Sequence, residues 1–134
     1  MIVTYSPDGD QPQRFDFDPG KVRVSAAEAI ENRFGGTWEE FRVAVLQGSA
    51  RARRVLLWHL LKTAHPTLRL EDVDFAAGEL VVELDRAELI AFREQVAKTG
   101  GITDAERERA LAALDAEIVA AGDGEGKARS KKSG

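Results

Sequence analysis

The chain has 134 residues, 43% of them hydrophobic and 31% charged, with 19 basic against 23 acidic side chains, two histidines and no cysteine. That length has room for about one packing unit, and the missing thiols exclude disulfide scaffolds, thiolate catalysis and cysteine-held zinc or iron–sulfur groups. At a net charge of -4 the molecule repels a phosphate backbone unless its cations gather on one face.

In chain order, Ile2 to Tyr5 and Arg14 to Asp18 alternate like half-buried strands, with Val3/Tyr5 and Phe15/Phe17 each on one face. The Pro, Asp and Gly residues of Ser6 to Gln13 supply a reversing loop. A small β-hairpin over about residues 1–20 is therefore expected, closed by Pro19-Gly20. Four pairs then carry the spacing of a capping box or its Asp variant: Ser25/Glu28, Thr37/Glu40, Asp85/Glu88 and Thr103/Glu106. They predict helices over Ala26 to Arg33, Trp38 to Gln47, Ala50 to Ala64, Arg86 to Lys98 and Asp104 to Ala121, separated by Gly35-Gly36, Gly48, Pro66 and Gly100-Gly101. Leu80 to Leu84 is compact and β-branched; Ala77-Gly78 before it and its valines favour strand over the front of the next helix. The fold class expected is mainly α with a small N-terminal hairpin (α+β), one domain over residues 1–122 with about five helices. Residues 123–134 hold no large apolar side chain and read as a flexible polar tail.

The longest nearly unbroken apolar run, Val55 to Leu61, is far below the roughly 18 residues of a membrane span. No basic start followed by an apolar stretch suggests export. A reducing cytoplasm is the expected setting.

Catalytic signatures are missing from the sequence: there is no Gly-rich phosphate loop and no Gly-x-Ser-x-Gly elbow. His59 and His65 stand six apart and do not share a helix face, so no metal or cofactor is expected. His65, before Pro66, is placed to cap a helix C-terminus with its imidazole.

Two apolar features remain. Val55, Leu56, Leu57, Trp58, Leu60 and Leu61 point nearly all round one helix. Such a helix is either a central spine or packs at home on one side and meets a partner on the other, with Trp58 as the anchor. Leu111, Leu114 and Ile118 form a narrow stripe on the last helix, suited to its own domain or to a shared or displaced arm. The partner-binding residues expected are Leu57, Trp58, Leu61, Leu111, Leu114 and Ile118. An alternative reads residues 38 onward as a helix-turn-helix DNA-binding regulator that presents Arg51, Arg53 and Arg54 from the start of its second helix. The acidic balance weighs against it, because a cationic cluster at a helix start gains nothing from the dipole.

The sequence Thr37-Trp38-Glu39-Glu40-Phe41, the Gly48-Ser49 break, the Val55 to Leu61 helix, and His65-Pro66-Thr67-Leu68 running into Leu70-Glu71-Asp72-Val73-Asp74-Phe75 resemble the tail assembly chaperones of long-tailed bacteriophages and prophages. The resemblance covers about residues 1–85. It implies a non-enzymatic protein made in the host cytoplasm and absent from the mature virion, which binds the tape measure protein and keeps it soluble until tail tube subunits polymerise around it. In many relatives a programmed frameshift adds an extension that recruits the tail tube protein; Gly126-Lys127 or Lys131-Lys132 could be encoded by a slippery run. Self-association is compatible with this reading.

Overall fold

A computed structural model describes residues 1–121, so the expected polar tail lies outside the described residues. The chain groups into two units, Met1–Glu83 and Leu84–Gly134, where the sequence reading drew one domain over 1–122. Among the described residues there are five α-helices and one three-stranded antiparallel sheet.

In the first unit, β1 (Ile2–Tyr5) and β2 (Gln13–Asp16) form the expected hairpin, with Val3 opposite Phe15. β3 (Leu80–Glu83) joins the other edge of β1, Val82 lying opposite Val3, so the sheet order is β2-β1-β3. The alternation of β3 therefore reports a third strand. Glu79 fixes its approach: its carbonyl accepts from the Ser6 amide at 2.8 Å, and its carboxylate accepts from the amides of Asp8 and Ala76 at 3.0 and 2.9 Å. These bonds tie the turn ahead of β3 to the loop that joins β1 and β2.

Helices α1 (Val24–Phe34), α2 (Trp38–Leu46) and α3 (Ala50–Leu61) follow the hairpin. The Ser25/Glu28 box does not form. Val22 packs against the core and delivers the chain into α1 early, so Arg23 is the N-cap, without a side-chain bond, and Ser25 falls inside the first turn. Thr37 and Glu40 do form a reciprocal box. Its hydrogen bonds from Thr37 hold the Glu40 carboxyl below its ordinary value. Gly35 and Gly48, at φ +86° and +87°, adopt the left-handed conformation that ends one helix and admits the next within a few residues. α3 stops at Leu61, short of the expected Ala64. There the backbone amide of His65, rather than its imidazole, donates to the Leu61 carbonyl.

The core of this unit is built around α3. Ala52, Val55, Leu56, Leu57 and Trp58 are all buried, and Val3, Phe17, Ile30, Phe41, Val45, Val73 and Leu80 join them in one cluster. The run from Val55 to Trp58, apolar all round, is thereby enclosed, while Leu60 and Leu61 in the last turn are half-buried. Aromatic edges and faces complete the packing: Trp38 stacks on Phe41 and Phe34 meets Phe41 edge-on, both at 5.6 Å between centroids.

The second unit is a helical hairpin of α4 (Arg86–Lys98) and α5 (Asp104–Ala121). Both expected boxes are present: Asp85 with Glu88, and Thr103 with Glu106, whose carboxyl is held low by bonds from Thr103. Leu89, Val96 and Leu114 are its buried residues, with Leu84, Phe92, Ala110, Leu111, Ile118 and Ala121 packed against them. An ion pair between Arg93 and Asp115 bridges the two helices, and the Arg107 guanidinium donates to the Thr99 carbonyl at the end of α4.

Candidate functional site

The residue expected to anchor a partner is instead held by its own unit. Trp58 is 2% exposed. Its indole Nε1 donates to the Leu68 carbonyl at 3.0 Å, and its ring carries two cations, the Arg33 guanidinium at 4.3 Å and the Lys62 ammonium at 4.5 Å from the centroid. Leu57, at 1% exposure, is equally enclosed. The expectation of a free apolar surface around Trp58 is overturned, and the reason is the fold itself. α1 and α2 pack on α3, while the sheet residues Val3 and Leu80 belong to the same cluster and claim apolar area a partner would need. Leu61 is half-buried and packed against that cluster.

Arg51, Arg53 and Arg54 have a use the sequence did not reveal. Arg51 donates from Nε to the Phe34 carbonyl and from Nη2 to the Arg33 carbonyl, both at 2.7 Å, meeting the free carbonyls at the end of α1. Arg53 Nε does the same for Val45 in the last turn of α2 at 2.9 Å, and Arg54 Nε donates to Val73 at 2.7 Å. The cationic cluster at the start of α3 thus lies against the C-terminal carbonyls of two neighbouring helices, where positive charge is favoured. Acceptors 8 to 19 residues away leave no local spacing signal. A helix enclosed at Ala52 and from Val55 to Trp58 is also poorly placed to enter a DNA groove.

His59 packs edge-on against Phe17, 5.9 Å between centroids, and burial followed by the nearby Lys62 charge pushes its pKa below the ordinary imidazole value. Among the described residues no group of three or more His, Cys, Asp or Glu side chains could hold a metal ion, and no helix is long and apolar enough to cross a membrane.

On α5, Leu114 is 6% exposed while Leu111 and Ile118 are half-buried, all within the hairpin cluster. The large apolar side chains left exposed among the described residues are Val24, Val81, Ile90 and Val119, the last at 80%. Val119 follows Ile118 directly, about 100° round α5 from it, and sequence reasoning did not single it out. No family model, no curated protein and no solved structure matches this chain.

Proposed function

We propose that the chain is a tail assembly chaperone of a long-tailed phage or prophage, a non-enzymatic protein that acts in the host cytoplasm and is left out of the mature virion. It holds the tape measure protein soluble while the tail tube forms; a frameshifted longer form would add contact with the tail tube protein. The observation that carries this reading is the resemblance over about residues 1–85. Its end lies close to the boundary at Glu83, so the resembling part corresponds to one packing unit.

The client-binding element in this reading moves from α3 to the helical hairpin. Leu57 and Trp58 are enclosed, whereas Leu111, Leu114 and Ile118 are held by a cluster with three buried members among the described residues. A hairpin with so thin a core opens at low free energy. Opening offers the stripe to an amphipathic helix of the client, an exchange of one helical partner for another. Several such contacts along one long client add through multivalency, so no single contact must be tight.

Co-expression with the tape measure protein tests the function: the client should stay soluble with the chain and precipitate without it, and equal solubility alone would overturn the proposal. The hairpin mechanism has its own test, because the chain lacks cysteine. Bridging Arg93→Cys and Asp115→Cys with a short bis-maleimide should abolish suppression of client aggregation, measured by light scattering, whereas the unbridged double variant should retain it.

A further inference from the structure

A cavity of about 180 Å³ opens in the first unit where the start of α3 meets the segment after Val73. Ala50, Arg53 and Arg54 form one wall, and Asp74, Phe75 and Ala77 the other. Both guanidinia are anchored through Nε, to the carbonyls of Val45 and Val73. Among the described residues their remaining N–H groups have no protein acceptor and neither arginine forms an ion pair with a carboxylate. This is notable in a chain with 23 acidic side chains, since guanidinium pairs readily with carboxylate wherever geometry permits. Burial without a counter-charge also pushes the Arg53 pKa down. Phe75 gives the opposite wall an apolar surface, its ring held edge-on by Tyr5 at 5.9 Å.

Two fixed guanidinia with open terminal N–H groups beside an aromatic wall match an anion carrying a small apolar body. The volume suits one amino-acid side chain rather than a nucleotide or a helix. We propose that this cavity binds a carboxylate attached to a compact apolar group, the chemistry of an aliphatic residue at a polypeptide C-terminus or of an acidic residue beside an aliphatic one within a chain. The carboxylate lies across the Arg53 and Arg54 forks and the apolar group against Phe75 and Ala77. Asp74, in the wall with Phe75 and Ala77, weakens the site by its like charge. The assignment stands apart from the chaperone reading, which a client-solubility assay addresses without reference to this cavity.

NMR titration of the full chain with N-acetyl-leucine, Ac-Leu-Glu-NH2, the neutral Ac-Leu-NH2 and acetate tests the site. N-acetyl-leucine or Ac-Leu-Glu-NH2 should shift the Nε–H signals of Arg53 and Arg54 and the Phe75 ring with a Kd around 1 mM, about the strength expected of one charged contact with one small apolar group. A response to N-acetyl-leucine alone assigns the site to a chain terminus, and a response to Ac-Leu-Glu-NH2 alone to an internal acidic residue. Ala50→Glu should remove the shifts while leaving the thermal midpoint unchanged or raised, because an acid in the first helical turn suits the dipole. Asp74→Asn should tighten binding by about three- to tenfold. The proposal is overturned by an absence of shifts with both carboxylates, by an equal response to Ac-Leu-NH2 or to acetate, or by binding that survives Ala50→Glu.

Discussion

The two units differ in how they dispose of apolar surface. In Met1–Glu83, twelve buried residues form one cluster, and five of them belong to α3, so each turn of that helix is held from several sides. Among the described residues the α4–α5 hairpin relies on three buried residues, while each unit leaves two large apolar side chains exposed, Val24 and Val81 in the first and Ile90 and Val119 in the hairpin. A core of that depth gives the first unit cooperative stability, whereas a single interhelical seam supplies little beyond local helix propensity and capping. The hairpin therefore depends more heavily on its ends, and both its helices start with a complete reciprocal box. The first unit adds capping to enclosure, with the Thr37/Glu40 box on α2 and Ser49 at the start of α3, whereas the hairpin has the capping with far less enclosure.

The sharpest way to break the comparison is Trp58→Ala. Removing a ring that fills the centre of the first unit should cost about 3–5 kcal/mol, read as a loss of that unit's urea transition. Both tryptophans, Trp38 and Trp58, lie in Met1–Glu83, so wild-type fluorescence reports on that unit alone while circular dichroism at 222 nm reports on both. The two probes should give separate midpoints, with part of the helical signal lost first; coincident curves would refute independent melting. Leu114→Ala should cost the hairpin about 2–3 kcal/mol, lowering the early helical transition and leaving the fluorescence midpoint unchanged. Arg51→Met leaves the terminal carbonyls of α1 without their donor and should lower the fluorescence midpoint by about 1–2 kcal/mol. Thr103→Ala removes one cap of α5 and should cost about 1 kcal/mol, confined to the hairpin.

A pH series separates the units in another way. Because the folded-state pKa of His59 lies below its unfolded value, the unfolded chain binds the proton more readily. The stability of the first unit should therefore fall as pH drops from about 6.5 towards the lowered folded value, and be fully present above that window. The carboxyl of Glu106 is lowered too, by the hydrogen bonds from Thr103, so here also the unfolded chain binds the proton more readily, and the cap of α5 should weaken in the more acidic range where carboxylates titrate, as pH falls through its lowered folded pKa. His59→Phe should flatten the fluorescence midpoint between pH 7.5 and 5.5; an unchanged slope would mean another group is responsible.

The helices were legible in the sequence because their starts are chemically explicit. Thr37, Asp85 and Thr103 are caps in the structure, and α4 and α5 have the predicted bounds. Ser25 misled because its spacing to Glu28 is right while the chain enters α1 earlier, driven by Val22, whose packing is a tertiary fact. The strand at residues 80–83 was visible as a pattern, but its place beside β1 rests on Glu79 bonds that span 71 residues and more. At the candidate sites the limit was similar. An apolar ring around α3 is compatible with a spine or an interface, and only Leu68, Arg33 and Lys62 closing on Trp58 decide between them. The arginines read as a surface cluster because their acceptors are main-chain carbonyls, which every residue has and no sequence pattern marks.

The position of β1 between β2 and β3 has a consequence for synthesis on the ribosome. Its hairpin partner follows within a dozen residues, whereas its other neighbour is translated some 75 residues later, a delay of roughly 4–15 s at about 5–20 residues per second. Until then the nascent sheet is an isolated two-stranded ribbon with one open edge, marginal by itself and available to other strands. β1 thus waits for its second neighbour until long after its own synthesis, and pausing during translation of the intervening helices would prolong the interval in which the emerging polypeptide needs protection of its own.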